Sequence, residues 1–330
     1  MTLRLVEITV PAERLEELSE LLAGVDTVDL WTVEEGPVRG IQRALVPSEQ
    51  VEALTDLVAG RFEGGEDFRV VLVAVEATFP PGEEEETEEE RRGPGRVSRE
   101  ELHQDLAGGS RVTGVYLVTV ALSAVVAAVG LVRDDVAVII GAMVIAPLLA
   151  PNVALSLAAT LGDVDLAKRA LLASAAGAST ALAVALLVGA MVSFDPETPQ
   201  LLARSRVGPG DVVLALAAGS AGALAYTTGL PAVVIGVMVA VALLPPLVAA
   251  GIFAGGGYPA MAAQAALLTL TNATAVSLAG VVTFLAQKVR PRLWWEEERA
   301  RTATKVALAT WVALLVGLIA LMIWVVRESP

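Results

Sequence analysis

Prolines buried in apolar runs are the residues of this chain best placed to create a binding chemistry. Pro147 and Pro151 interrupt one long apolar stretch, and Pro245 and Pro246 interrupt another. A proline within a helix has no N–H to donate and crowds the carbonyl one turn earlier, so it leaves backbone carbonyls without their usual partner. In an apolar surround those groups must be met by neighbouring side chains or by water. Suitable side chains lie close by in sequence. Asn152 follows Pro151, with Ser156 one turn on, and a later apolar run carries Thr271, Asn272 and Thr274, while Ser179 lies in the run between them. The helix ends at a break offer carbonyls to a cation or amides to an anion. The expected site for an ion or small solute is therefore Pro147, Pro151, Asn152, Ser179, Pro245, Pro246, Thr271, Asn272 and Thr274. The same amides and hydroxyls equally serve helix-to-helix hydrogen bonds, and a proline can equally be a packing kink.

Other chemistries are excluded by what the chain lacks. It has no cysteine and one histidine, His103, so disulfides, thiol nucleophiles, Cys/His metal sites and haem attachment through cysteine are ruled out. His103 by itself reads as a surface residue. No phosphate-cradling GxxxxGK[ST] run occurs. No Asp, Glu, Lys, Arg or His lies at the centre of an apolar run, and Asp134, Asp135, Asp163, Asp165 and Asp211 sit at the ends. A carboxylate proton relay is thus not expected. Neither is an enzyme, a metal or a cofactor, because no base or ligand set is in place.

The elements that must carry these residues are membrane spans. Of 330 residues, 55% are hydrophobic and only 18% charged, against roughly 25% charged in a soluble domain. Seven apolar segments have the length a bilayer requires, at about 112–131, 135–161, 167–193, 211–228, 231–253, 261–286 and 305–326. Trp294 and Trp295 precede the last and suit an interfacial anchor. With the N-terminus in the cytosol, inside segments near the spans hold eleven Lys and Arg and outside segments four. That asymmetry predicts a cytosolic N-terminus.

The spans repeat. Ala137–Pro151 (AVIIGAMVIAPLLAP) and Ala232–Pro246 (AVVIGVMVAVALLPP) are identical at nine of fifteen positions with an offset of 95, and Ser174/Thr269 and Ser179/Thr274 still align. Spans one to three thus correspond to spans four to six. Three is odd, so the halves would cross the membrane in opposite senses, as in many secondary transporters. The domain reading is two inverted three-helix repeats with proline-broken helices, about 112–193 and 211–286, and an extra span at about 305–326. Gly251 and Gly255 near the end of span five suit a close helix contact.

Residues 1–80 read as a soluble module. Val6, Ile8 and Val10 alternate as in a half-buried strand, Pro11 opens a helix, and a second copy follows at an offset of 36, with Pro11/Pro47, Leu18/Leu54, Leu21/Leu57 and Gly24/Gly60 in register. Strand–helix–strand twice gives a ferredoxin-like βαββαβ domain of the α+β class. Residues 1–92 hold 23 acids against 8 bases, which argues against nucleic acid as a partner. Residues 81–111 form an acidic linker, Glu83–Glu90, and a short pre-membrane helix that opens at the capping box Ser98-Arg99-Glu100-Glu101.

The run IIGAMVIAPLLAP with Leu161-Gly162-Asp163, the later VALLPPLVAAG, Asn272 and the SREEL at 98–102 resemble a prokaryotic membrane family known as domain of unknown function 389. The resemblance spans most of the chain. It implies a bacterial or archaeal inner membrane protein and no established activity. Two functions are expected from the residues. One is a secondary transporter or channel for an ion or small solute, in the lipid bilayer and as a homo-oligomer. The alternative is a membrane-anchored sensor or scaffold whose N-terminal module binds a ligand or sets oligomerisation.

Overall fold

The computed structural model describes residues 3–25, 27–35, 39–62, 68–75, 97–205, 208–228, 232–289 and 294–328, with side chains at all of these but 34–35, 232–241, 294–301, 303 and 322–328. The expected acidic linker Glu83–Glu90 and the tip of the hairpin turn at Gly36-Pro37 lie outside the described residues. The chain divides into two compact units, Met1–Leu102 with Thr227–Gly229, and His103–Tyr226 with Leu230–Pro330.

The first unit is a four-stranded antiparallel sheet with two helices. Strand β1 (Leu3–Pro11) leads through one short turn to helix α1 (Leu15–Leu22), then β2 (Asp29–Glu35), β3 (Arg39–Pro47), α2 (Val51–Phe62) and β4 (Arg69–Ala74). The strand order β2-β3-β1-β4 is that of the doubled split βαβ unit. Strand alternation buries Val6, Ile8 and Val10 against Leu18 and Leu22 of α1 and Leu54, Val58 and Phe62 of α2. Leu57, which the offset of 36 pairs with Leu21, is 42% exposed. It lies about 100° round the helix from Val58, on the edge of the stripe that α2 turns to the sheet. The internal repeat has a geometric consequence. Glu7 and Arg43, equivalent at the offset of 36, are direct partners in the β1–β3 ladder, and their side chains form an ion pair of 2.7 Å.

Helix α3 (Arg99–Gly109) begins as the capping box predicts, with the Glu101 N–H donating to Ser98 Oγ at 3.2 Å. The boundary between the units falls inside it, within the segment 81–111 expected as linker and pre-membrane helix, because its first turn is tied to the first unit. Arg99 donates to Asp56 at 2.9 Å, its backbone N–H donates to Glu52 at 2.8 Å, and Arg4 donates to Glu101 at 3.2 Å.

The second unit is helical. It comprises α4 (Gly114–Val132), α5 (Val136–Ile145), α6 (Leu149–Leu161), α7 (Val164–Met191), the short α8 (Pro199–Ser205), α9 (Pro209–Thr227), α10 (Ala232–Gly255), α11 (Pro259–Ala286) and α12 (Trp294–Glu328). Among the described residues, five segments are long and apolar enough to cross a membrane: α4, α7, α9, α11 and Thr304–Leu321 of α12. The pair α5 and α6, bent by 53°, makes a sixth if it is one span. Where the sequence predicts a seventh, α10 is a 24-residue helix whose stretch Ala242–Gly255 is apolar. Helix α4 is apolar all round. Tyr116, Val120, Ala124 and Ala127 are buried, and Val115, Val118, Leu122 and Val125 are exposed. An exposed face as apolar as the buried one is what a lipid solvent calls for.

Helix lengths follow the offset of 95. Helices α4 and α9 are both 19 residues and begin at Gly114 and Pro209; α7 and α11 are both 28 residues and begin at Val164 and Pro259. Their middle partners differ. The first half is broken between α5 and α6, whereas α10 continues through Pro245 and Pro246. The expectation of a broken helix in both halves is thus corrected, and the residues explain it. Pro147 pushes the residue before it into extended backbone, and Ala146 has ψ 118°. Pro151 then falls in the first turn of α6, where no helical N–H is lost. At the position equivalent to Pro147 the second half carries Ala242, so nothing forces the chain out of its helix there.

Tight crossings by small residues hold the bundle. A Cβ on Gly251 would lie 2.5 Å from Ala185 Cβ and 2.9 Å from Leu182 O, and one on Gly255 would strike Leu186 O. The predicted close contact of Gly251 and Gly255 is therefore made, against α7.

Candidate functional site

All the candidate residues but Pro147 and Ser179 lie on α6, α10 and α11, three helices without one Asp, Glu, Lys, Arg or His. Two polar links join them. On the first, Ser277 Oγ of α11 donates to Asn152 Oδ1 of α6 at 2.8 Å. In return Ser156 Oγ donates to the carbonyl of Ser277 at 3.0 Å and to that of Asn152 at 3.2 Å. A Cβ on Gly280 would lie 2.6 Å from Ser156 Oγ, so the glycine one turn past Ser277 admits the serine. On the second link, Asn272 Nδ2 of α11 donates to the Ala242 carbonyl of α10 at 2.8 Å. This is the carbonyl that Pro246, lacking an N–H, leaves free. A side-chain amide thus takes the place of the missing helical donor.

The structure therefore gathers the predicted residues selectively. Pro151, Asn152, Pro245, Pro246, Thr271, Asn272 and Thr274 are buried, and Pro147 is half-buried at the bend. Asn152 and Asn272 serve different neighbours, since five residues along α11 separate Ser277 from Asn272 and turn them by about 140°. Thr271 and Thr274 donate back to their own helix, to the carbonyls of Leu267 and Leu270, each at 2.8 Å. Ser179 is not brought to the group. It is exposed on α7, in line with Leu172, Leu182 and Leu186 on the outer face.

Sequence reasoning did not single out three partners. Ser123 Oγ of α4 donates to the Ala142 carbonyl at 2.7 Å, in the last turn of α5 before the break. That carbonyl also accepts the Ala146 N–H at 3.2 Å, so it is not one that Pro147 releases, and no local sequence signal pointed to Ser123. Tyr116 OH donates to Ala173 O at 2.8 Å, in space that Gly177, the residue equivalent to Asn272, leaves open beside Leu148. His103, read from sequence as a plain surface residue, has its Nε2 2.9 Å from Asp163 Oδ2. Asp163 caps α7, accepting from the Asp165 and Leu166 N–H groups at 3.0 and 2.9 Å, after Gly162 turns the chain with φ 72°. Burial pushes the Asp163 carboxyl up, but the Leu166 N–H, His103 and the Asp165 N–H outweigh it and hold the carboxyl below its ordinary value.

Among the described residues no group of three or more His, Cys, Asp or Glu side chains is placed to hold a metal ion. What the arrangement offers is uncharged oxygen and amide chemistry around a bent helix pair.

A family model described as Domain of unknown function (DUF389) matches residues 143–278, a range that runs from the last turn of α5 through Asn152, Pro246 and Asn272. An uncharacterised protein of Methanocaldococcus jannaschii is 33% identical over 331 residues, covering 98% of this chain and all of that one. No solved structure matches.

Proposed function

The chain belongs to the family described as Domain of unknown function (DUF389), and we propose that it is a secondary transporter or channel for an ion or small solute. The observation that carries this reading is the break between α5 and α6, bent by 53° within an apolar helix pair, with buried Asn152 in the first turns of α6 that follow it. Non-helical backbone at membrane depth is tolerated where it is buried in protein or lines a water-filled path. Break, buried asparagines and repeat together favour the path.

The equal helix lengths at an offset of 95 support two three-span halves, which three being odd would set in opposite senses. On this reading the seventh span is α12. The Lys and Arg asymmetry supports a cytosolic N-terminus, and the archaeal relative supports a prokaryotic inner membrane. The protein acts in the bilayer as a homo-oligomer and carries out no covalent chemistry, a reading supported by the helical unit, whose buried polar side chains among the described residues are amides and hydroxyls without a base.

The absence of cysteine makes the test direct. Single cysteines at Asn152, Ala242 and Asn272 are exposed to a membrane-impermeant thiol reagent from each side of the membrane. Labelling at these positions is the expected result. If all three stay unlabelled while controls at span ends react, the break is packed core, and the anchored sensor becomes the better account.

A further inference from the structure

We infer that Asn272 Oδ1 is a binding point for a monovalent cation, an alkali-metal ion or ammonium, where α11 packs on α10. The inference deepens the transport reading and rests on it for a route by which the ion arrives.

Asn272 is 4% exposed. Its amide orientation is fixed by chemistry, because the Ala242 carbonyl freed by Pro246 accepts and only Nδ2 can donate to it. Oδ1 is thereby turned elsewhere, and it is buried without a hydrogen-bond partner. A buried carbonyl oxygen with no donor is rare, and where it occurs a water, an ion or a ligand is the ordinary explanation.

The neighbouring hydroxyls narrow the choice. Thr271 and Thr274, on either side of Asn272 along α11, commit their protons to the carbonyls of Leu267 and Leu270. Ser277 commits its proton to Asn152 Oδ1. Oδ1 is itself an acceptor, and the Thr271 and Thr274 hydroxyls have committed their protons to their own helix, so an anion at Oδ1 would meet a lone pair with no hydroxyl proton to offset it. A species that docks on such oxygens carries positive charge. It carries a single charge, because α6, α10 and α11 contain no carboxylate to offset a second.

The test uses the purified full-length protein in detergent. Thermal unfolding is followed in NaCl, KCl and NH4Cl, each against choline chloride at equal ionic strength, and again with chloride replaced by gluconate. A rise in Tm of about 3 °C is expected with at least one of the three cations at tenfold excess over its dissociation constant. The anion exchange should leave Tm unchanged. Asn272→Ala should abolish the cation-dependent shift whatever it does to the baseline. Should that variant fail to fold, Asn272→Asp keeps an oxygen in place and adds charge, and binding of radioactive sodium or rubidium to it should tighten about tenfold relative to the wild type.

Equal Tm in choline and in all three salts would overturn the inference and assign a water to Oδ1. A full shift retained in Asn272→Ala, or unchanged affinity in Asn272→Asp, would also overturn it. Failure of the transport reading looks different. A cation shift without flux into liposomes removes transport and keeps the site, whereas flux of anions without a cation shift keeps transport and removes the site.

Discussion

Asn272 Nδ2 lies 2.8 Å from the carbonyl oxygen of Ala242, thirty residues away, and supplies the hydrogen bond that Pro246 removes from α10. That link meets one of the two carbonyls that the prolines inside α10 release. It also separates the two halves of the chain, since the residues equivalent to Ala242 and Asn272 are Pro147 and Gly177, and there the helix breaks.

If the amide replaces the lost helical donor, the two residues are energetically coupled. Asn272→Ala should destabilise the protein by about 1–3 kcal/mol, the range for stranding a buried acceptor. In a Pro246→Ala background, where residue 246 again donates to Ala242, the same substitution should cost measurably less. A double-mutant cycle on thermal unfolding reads the difference. Additive effects would dismiss the capping role.

The break itself should be transferable. Pro147→Ala removes the ring that forces Ala146 into extended backbone, and the angle between α5 and α6 should fall well below its 53°. Ala242→Pro should install the corresponding bend in α10. Distances between spin labels at the ends of each helix pair report both changes; an unaltered bend in Pro147→Ala would place its cause in the surrounding packing.

Much of this was legible beforehand. The strand alternation, the helix start at Ser98, the apolar lengths and both internal repeats are local or periodic signals. What was misread follows from distance in sequence. Whether the carbonyl that Pro246 releases finds a donor depends on an asparagine in another span, and Ser179 could be assigned to the inner or outer face of α7 only once its neighbours were in place.

Glycine substitutions should divide by environment. Gly251→Leu pushes a side chain into Ala185 and the Leu182 carbonyl. It should cost about 1–3 kcal/mol as overpacking, visible as a lower Tm and reduced yield. Gly141→Ala in α5 meets nothing within 4 Å and should be neutral or stabilising by about 0.5–1 kcal/mol. Equal sensitivity at the two sites would argue against the tight α7–α10 crossing.

Asp163 predicts an acid limb. Its carboxyl is held below its ordinary value in the folded protein. Its ionised form therefore contributes stability that is fully present above the unfolded-state pKa near 4 and is lost as pH falls through the lower folded-state value. Asp163→Asn keeps an amide cap but cannot ionise. The Tm gap between wild type and this variant should be constant above about pH 5 and close as the pH drops towards 3. A gap independent of pH over that range would remove the charge from the account.

The sequence alone determined the kinds of element and their order. Hydrophobic period and length decide strand, soluble helix or span within a few turns of chain, and segments repeated at 36 and 95 residues set matching element orders, save where Pro147 in one half stands opposite Ala242 in the other. Tertiary structure decided which polar groups are already satisfied. A carbonyl released by a proline is a demand the sequence announces, but its donor is chosen by which helix packs beside it. For Ala242 that donor is Asn272; the Ala142 carbonyl, already bonded to the Ala146 N–H, gains Ser123, and the Asp163 carboxylate gains His103. Hydrogen bonds reach only about 3 Å, so a pairing between spans exists only after the spans have packed.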